Sequence, residues 1–599
     1  MAQRNTFNVD EKLETPFNLK HLMRTGKYIR RHKGKMILVL ITSVICIVIA
    51  LMGPLIIKAA LELIEKASSG EIAKADAIKT LIFYGVLLLA TIAGNIGLSS
   101  FRSVTMARVG QTIIYEIRRD LFAHLQELSF DYFDNRPAGK ILIRVVHYIN
   151  SVSDALSNGI INLILECLNI VIILVFMLVV SPSLTLVALG GLPIFAFAIF
   201  FIMPKQRRGW QNISNANSNM SAYVSESIDG AKITQVFTRE KENMGIYKKL
   251  NKHYRRVWMK TMYPTHALGV VVENISAIVV GGIYVVAVFL LNPAASFPVV
   301  ITMGNYAARF WQPILNISSI YNTFINAVAY LERIFEAIDE PVTVADKEYA
   351  YSLPDISGAV SFKNVTFSYT EDTPNILENV NFSVDPGQSV ALVGPTGAGK
   401  TTIINILARF YNLDSGDVLL DGHSINDVTG RSLRSRMGIM LQDSFIFSGT
   451  IADNVRYGKL DATDEEIEAA CKAVYCHDYI SSLPQGYQTV VGEKGSELST
   501  GQRQLICFAR TLISDPKILI LDEATSSIDA KTESLLQQAI ASVLKNRTSF
   551  IVAHRLSTIM DCDRIMYIAN KGIAESGSHS ELMELGGEYA KLYRHLSEM

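Results

Sequence analysis

Six stretches of about twenty mostly apolar residues follow one another in the first half of the chain, near 36–58, 80–100, 158–180, 183–203, 267–291 and 298–322. A helix rises about 1.5 Å per residue, so about 20 apolar residues cover the roughly 30 Å hydrocarbon core of a bilayer. A water-soluble core does not call for six such segments in succession. They are expected to form a bundle of membrane-crossing helices. The sixth is the weakest by hydropathy, because it carries Asn305, Arg309, Gln312 and Asn316.

Composition agrees. The 599 residues are too many for one domain and 49% of them are hydrophobic, while only 19% are charged, below the usual quarter or so. Lys and Arg number 56 and Asp and Glu 56. Zero net charge argues against a general nucleic-acid binder, which needs a basic surplus, and against an acidic disordered chain. The six cysteines (46, 167, 471, 476, 507, 562) lack metal-ligand spacing and are expected to be reduced thiols.

Basic flanks set the orientation. Arg24, Lys27, Arg30, Arg31, Lys33 and Lys35 precede the first span, and Lys205, Arg207 and Arg208 follow the fourth. The joints at Ser181-Pro182-Ser183 and near 292–297 carry no basic residue. Both termini are therefore expected in the cytoplasm, with the chain a multi-pass protein of the cell membrane. The connections at 101–157 and 204–266 are not loop-like. Ile113, Ile114, Ile117, Leu121, Phe122, Leu125 and Leu128 recur at helical spacing among charges, so the spans should run on as helices into the cytosol. The expected organisation is a basic N-terminal segment 1–35, a membrane domain 36–339, a linker 340–357 and, from 358 to 599, a domain of short strands, Gly-rich turns and helices, an α/β reading.

Within that second domain, Ser389–Val393 reads as a strand and Ile403–Phe410 as a helix. Between them stand Gly394, Pro395, Thr396, Gly397, Ala398, Gly399, Lys400 and Thr401, with Thr402 next. This is G-x-x-x-x-G-K-[ST] in the context it requires. The glycines let backbone N–H groups close around phosphate oxygens, Lys400 adds positive charge, the Thr401 hydroxyl can ligate Mg²⁺, and the helix N-terminus adds its partial charge. Ile518–Glu523 is a buried-strand pattern ending in two carboxylates. Asp522 is expected to hold Mg²⁺ and Glu523 to polarise the attacking water.

Leu498-Ser499-Thr500-Gly501-Gln502 decides the class. With it, this half resembles the nucleotide-binding domain of ATP-binding cassette transporters, and the six-span half resembles an exporter half-transporter of the bacterial multidrug and lipid type. The resemblance covers nearly the whole chain. It implies a six-span α-helical transmembrane domain with long cytoplasmic extensions, followed by an α/β P-loop ATP-binding cassette domain. By the same resemblance, Tyr369 matches the aromatic that stacks on adenine and Gln442 the glutamine that senses Mg²⁺. Thr489–Gly495 matches a loop that meets the coupling helices, Asp529 the loop crossing to the opposite site, and His554 the histidine on the γ-phosphate. It implies ATP and Mg²⁺ as ligands, two nucleotide domains paired head to tail with ATP between the P-loop of one and the signature of the other, and coupling helices near Phe130–Asn135 and Ser227–Thr238.

Two positions depart from the pattern. The family signature has glycine where this chain has Thr500. A β-branched residue there adds bulk and restricts the backbone, so the site this signature completes is expected to be slow, while the site on the chain's own P-loop looks intact. That favours a heterodimer with a second half-transporter, a tolerant homodimer being the alternative. Arg144–Asn150 also lacks the Asn-Asp-Val-Asp-like run usual after the arginine.

The expected function is ATP-driven export of amphipathic small molecules. Lipid or peptide export is an alternative, as is an ATP-regulated channel or receptor regulator. With about 35 residues before the first span, a leader-processing peptidase is not expected. Glu166, Glu273 and Arg309 fall inside expected spans, where charges face a bundle interior or a water-filled cavity. They are candidates for the transport path, with Tyr306, Phe310 and Trp311 offering aromatic surface.

Overall fold

The computed structural model describes residues 19–134, 136, 138–150, 152, 161–289, 297–370, 373–440, 444–522, 530–544, 547–552 and 559–597. It divides into two compact units, 1–126 with 138–339, and 127–137 with 340–599.

The first unit is helical. α1 (Leu19–Arg31), α2 (Lys33–Ser68) and α3 (Lys74–Glu127) come first; α4 (Phe130–Asp134) belongs to the second unit. Then follow α5 (Ala138–Ile143), a π-helical turn (Arg144–Tyr148), α6 (Ile161–Val180), α7 (Pro182–Leu189), α8 (Gly191–Asp229), α9 (Ala231–Val236), α10 (Glu240–Phe289) and α11 (Phe297–Asp339). The 54 residues of α3 reach about 80 Å, far beyond a bilayer core, so the span does continue as helix. Five helical segments, α2, α3, α6, the α7–α8 stretch and α10, are long and apolar enough to cross a membrane. α11 is the sixth long helix, diluted by its polar residues. The atypical run at Arg144 forms the π turn, where Tyr148 stacks on Tyr330 with ring centroids 4.9 Å apart.

Proline chemistry explains one helix pair. Pro54 lies inside α2 and has no N–H, so the Ala50 carbonyl four residues back loses its intrahelical donor. The Arg309 guanidinium of α11 donates to that carbonyl at 2.9 Å, and the Tyr306 hydroxyl donates to the Leu51 carbonyl at 2.7 Å. Tyr306, Phe310 and Trp311 are buried in the apolar core shared by α6, α7, α10 and α11. Trp311 packs so closely on Gly191 that a Cβ there would lie 2.7 Å from the indole. This corrects the expectation of exposed aromatic surface: three large rings on one helical face fill the helix contacts. α1 is tied down by Arg24, which grips Asp339 and lies 4.4 Å from the Phe335 ring centre, and by Arg31 and His32, each 3.0 Å from Glu116.

The second unit holds a four-stranded sheet in the order β2 (Leu377–Val384), β1 (Val360–Phe367), β4 (Ser415–Leu420), β5 (His423–Ser424), and a six-stranded sheet in the order β12 (Gly572–Gly577), β11 (Arg564–Ala569), β3 (Ser389–Val393), β10 (Thr548–Val552), β9 (Ile518–Asp522), β6 (Met437–Met440). β7 (Gly449–Thr450) pairs with β8 (Val490–Val491). In the larger sheet β11, β3, β10, β9 and β6 run parallel. β3, β9 and β10 are buried along their whole length, as the continuous apolar runs dictate for strands covered on both faces.

The 340–357 stretch, read as a linker, belongs to this unit by contact. Asp346 accepts from Arg409 and from the Gly430 N–H, each at 2.9 Å, and Lys347 reaches Asp427 at 2.8 Å. The 127–137 segment, assigned on sequence to the membrane domain, also packs here. Phe130 stacks on Phe410 with centroids 4.2 Å apart, the Tyr411 hydroxyl donates to Asp134, Arg136 meets Glu340 at 3.0 Å, and Val344 N–H donates to Ser129 Oγ at 2.9 Å.

Candidate functional site

β3 delivers the Gly394–Thr401 loop to the carboxyl edge of the six-stranded sheet, where ligands bind in open α/β sheets. Glycine is required at two of its positions by geometry. Gly394 has φ +145°, and a Cβ there would lie 2.3 Å from the Ile568 carbonyl oxygen. Gly399 has φ +103° at the N-cap of the Lys400–Leu407 helix, in the left-handed region. The turn they allow leaves the first-turn N–H groups of that helix aimed along its axis at the loop, an anion site.

Lys400 is 8% exposed and donates to the Gly394 and Pro395 carbonyls at 2.8 and 2.9 Å. Burial lowers the pKa of its ammonium group, and the Asp522 carboxylate works against that shift. Asp522 ends β9, and β10 lies between β9 and β3, so the two strand ends stand about 10 Å apart. The loop and the first helical turn cross that gap, bringing Thr401 Oγ1 to 3.4 Å from Asp522 Oδ2. A hydroxyl and a carboxylate side by side form a hard-oxygen donor pair that suits Mg²⁺. The residues present therefore fit a magnesium nucleotide.

Tyr369 follows β1. Its hydroxyl is 3.0 Å from Thr402 Oγ1, and its ring is held edge-on by Phe367 and Tyr411 at 5.0 and 5.2 Å. The residue is 38% exposed, so the ring is partly open to solvent. Pro395, Thr396, Gly397 and Ala398 complete the loop. Thus the expected phosphate loop, Tyr369, Thr401, Thr402 and Asp522 come together. Gln442, Glu523, Asp529 and His554 lie outside the described residues.

The signature stands apart. Ser499 caps the Thr500–Leu512 helix, its side chain accepting from Gln502 N–H while Gln502 reaches back to Ser499 N–H at 2.8 Å. Gly501 is buried in the first turn. Among the described residues, Ser499, Thr500, Gly501 and Gln502 make no hydrogen bond to the P-loop. Thr500 opens the helix and is not among the positive-φ residues; Arg503 Nη2 donates to its hydroxyl at 3.3 Å. Its side chain adds bulk at the helix mouth where the family pattern has glycine.

Sequence reasoning placed a coupling helix near Phe130–Asn135 but did not name the residues it meets. Tyr411 touches Tyr369 on one side and Asp134 on the other, 277 residues away, and no local pattern flags such a pair. Of the three membrane charges, Glu166 and Arg309 line one cavity of about 350 Å³, whereas Glu273 is exposed on α10 outside it.

Comparisons with known proteins fit this geometry. Residues 36–314 match the ABC transporter transmembrane region family and residues 377–526 the ABC transporter family. The chain is 38% identical over 99% of its length, and 97% of the relative's, to the uncharacterized ABC transporter ATP-binding protein YknV of Bacillus subtilis. It is 33% identical over 96% of its length, and 98% of the relative's, to a protein of the same organism that bears the name "Putative multidrug export ATP-binding/permease protein YgaD". Among solved structures, a bacterial Atm1-family ABC exporter with ATP bound superposes with a TM-score of 0.77 at 28% identity, covering 94% of this chain and 98% of that one. With a helical membrane-embedded half, a P-loop α/β half and full-length relatives, this chain belongs to the ABC transporter family as an exporter half-transporter that binds ATP and couples its hydrolysis to transport.

Proposed function

We propose that this chain is one half of a heterodimeric exporter that carries amphipathic small molecules across the cell membrane by alternating access, with both termini in the cytoplasm. The observation that carries the reading is the division of the nucleotide machinery. The P-loop, Thr401 and Asp522 assemble on one sheet edge, while Ser499–Gln502 open a separate helix. A signature that does not serve its own P-loop is suited to serve that of a second chain. The exposed apolar residues Ile233, Val236 and Phe237 at the second coupling segment are a further surface for that chain.

In the working site, the loop amides and Lys400 would hold the phosphates, Tyr369 the adenine, and Thr401, Asp522 and Gln442 the Mg²⁺. The ion would neutralise charge developing on the phosphates. Glu523 would polarise the attacking water and His554 would steady the γ-phosphate, while Asp529 reaches toward the opposite site. Thr500 supports an unlike partner, because its bulk burdens only the site it completes. The multidrug-export name of one relative and the polar residues on α11 support an amphipathic cargo.

Two measurements test this. The tagged chain is solubilised mildly from its native membrane and the intact complex weighed. A second polypeptide of similar size is expected; a species near twice 66.3 kDa containing this chain alone overturns the heterodimer. In proteoliposomes, ATP should drive movement of amphiphilic dyes, and Lys400→Ala should abolish it. Absence of ATP-driven dye movement by the intact complex overturns the cargo reading.

A further inference from the structure

We infer that the cavity of about 350 Å³ between α2, α3, α6 and α11 is a binding site for an amphiphile with an anionic head group. Its role in transport rests on the exporter reading above; its ligand chemistry does not. The volume lies at the low end of small-molecule pockets, about 300–1,000 Å³, enough for a head group and the start of a chain.

Three helices turn polar stripes into this space. Asn95 and Arg102 lie seven residues apart on α3, Arg309, Gln312 and Asn316 follow the same helical face of α11, and Glu166 comes from α6. α2 supplies an apolar wall. Such stripes are costly in hydrocarbon and persist where they face a cavity. Two guanidinium charges against one carboxylate leave one positive charge in excess.

The hydrogen bonds sharpen that sign. Glu166 accepts from Asn316 Nδ2 at 2.7 Å, so the carboxylate is already engaged by a neutral donor. Arg309 uses one N–H on the Ala50 carbonyl and has four more. Arg102 makes no hydrogen bond or ion pair among the described residues. Neither arginine is within ion-pair distance of Glu166. Two under-used planar donor forks side by side suit a carboxylate, sulfate or phosphate head group, whose oxygens accept several N–H bonds at once. A cation, by contrast, would find only Glu166.

The test measures equilibrium binding to the intact transporter in nanodiscs of zwitterionic lipid, with empty nanodiscs as the blank. The probes are dodecyl phosphate, dodecyltrimethylammonium and inorganic phosphate. Dodecyl phosphate should saturate the site at least about tenfold more tightly than the cation. Arg102→Gln removes a charge without breaking a protein contact and should weaken dodecyl phosphate about tenfold or more; Arg102→Lys should recover most of it. Arg309→Gln should act likewise, and Glu166→Gln should leave binding unchanged or tighter. Equal affinity for the two amphiphiles, or no effect of Arg102→Gln, overturns the inference. Inorganic phosphate binding as tightly as dodecyl phosphate overturns the amphiphile and leaves a bare anion site. Charge-selective binding without export of any amphiphile would sink the cargo reading alone, and export with charge-blind binding would sink this site alone.

Discussion

Replacing Tyr411 by Phe should loosen the grip of the second unit on α4 without touching ATP binding. Tyr411 is 7% exposed and its hydroxyl donates to Asp134. Burial, reinforced by Asp134, pushes the phenol well above its ordinary pKa, so it stays a donor at any working pH. A net hydrogen bond to a charged acceptor is worth about 1.5–3 kcal/mol. Asp134 is exposed and can be rehydrated, which places the loss near the lower figure, about tenfold in the docking equilibrium. The other ties are of similar size or smaller. The Phe130–Phe410 stack is worth about 0.5–1.5 kcal/mol, and the half-exposed Arg136–Glu340 pair about 0–1 kcal/mol. Loss of the phenol hydroxyl is therefore a large share of the hold on this segment. The ring contacts with Phe367 and Tyr369 survive in Phe. We expect amide exchange at 130–134 to rise about tenfold and transport per ATP hydrolysed to fall, with the KM for ATP unchanged. A cycle with Asp134→Ala, read by exchange in the full transporter, isolates the pair. If the two single variants and the double variant prove additive, the hydroxyl and carboxylate do not act together and the reasoning fails.

Gly394→Ala should abolish ATP binding, because its Cβ would stand 2.3 Å from the Ile568 carbonyl at a φ of +145°; normal nucleotide affinity by fluorescence titration would contradict that. Thr500→Gly should raise the turnover of whichever site it completes, since it removes the β-branched bulk at the signature; unchanged ATPase in the native complex would count against it. Asp421 accepts from Ser357 Oγ at 2.8 Å, Gly358 N–H at 3.1 Å and Ala359 N–H at 2.6 Å. Burial alone would raise its pKa, but these donors prevail and hold it below the usual carboxylate value. Its contribution is therefore present above the unfolded pKa of about 3.9 and is lost as pH falls through the lower folded value. Asp421→Asn should cost the second unit about 1–3 kcal/mol near neutrality and flatten its acid destabilisation, both read by calorimetry of the full protein; an unaltered acid limb would exclude this carboxylate as a cause.

Much of the architecture was legible in the chain because the signals are local. Helix length and hydropathy are set within about 20 residues, and phosphate-loop chemistry within eight. The segment read as a linker misled because its prolines mark only the absence of helix and strand; the pairs Asp346–Arg409 and Lys347–Asp427 that tie it down span 63 and 80 residues. Tyr306, Phe310 and Trp311 misled for a similar reason. An aromatic on a membrane helix suits a lumen or a helix contact equally well, and only the packing partner, here Gly191, decides.

The sequence by itself determined that half of the chain carries membrane-crossing helices, that the other half belongs to an ATP-binding family, and which residues form the P-loop, since those depend on periodicity and on glycines within a few bonds of each other. Tertiary structure decided the rest. It set Arg309 against the carbonyl orphaned by Pro54, joined Asp134 to Tyr411, and gathered Arg102, Glu166 and Arg309 around one cavity. Those pairings join residues tens to hundreds of positions apart, where chain entropy erases any local trace and only packing fixes which groups meet.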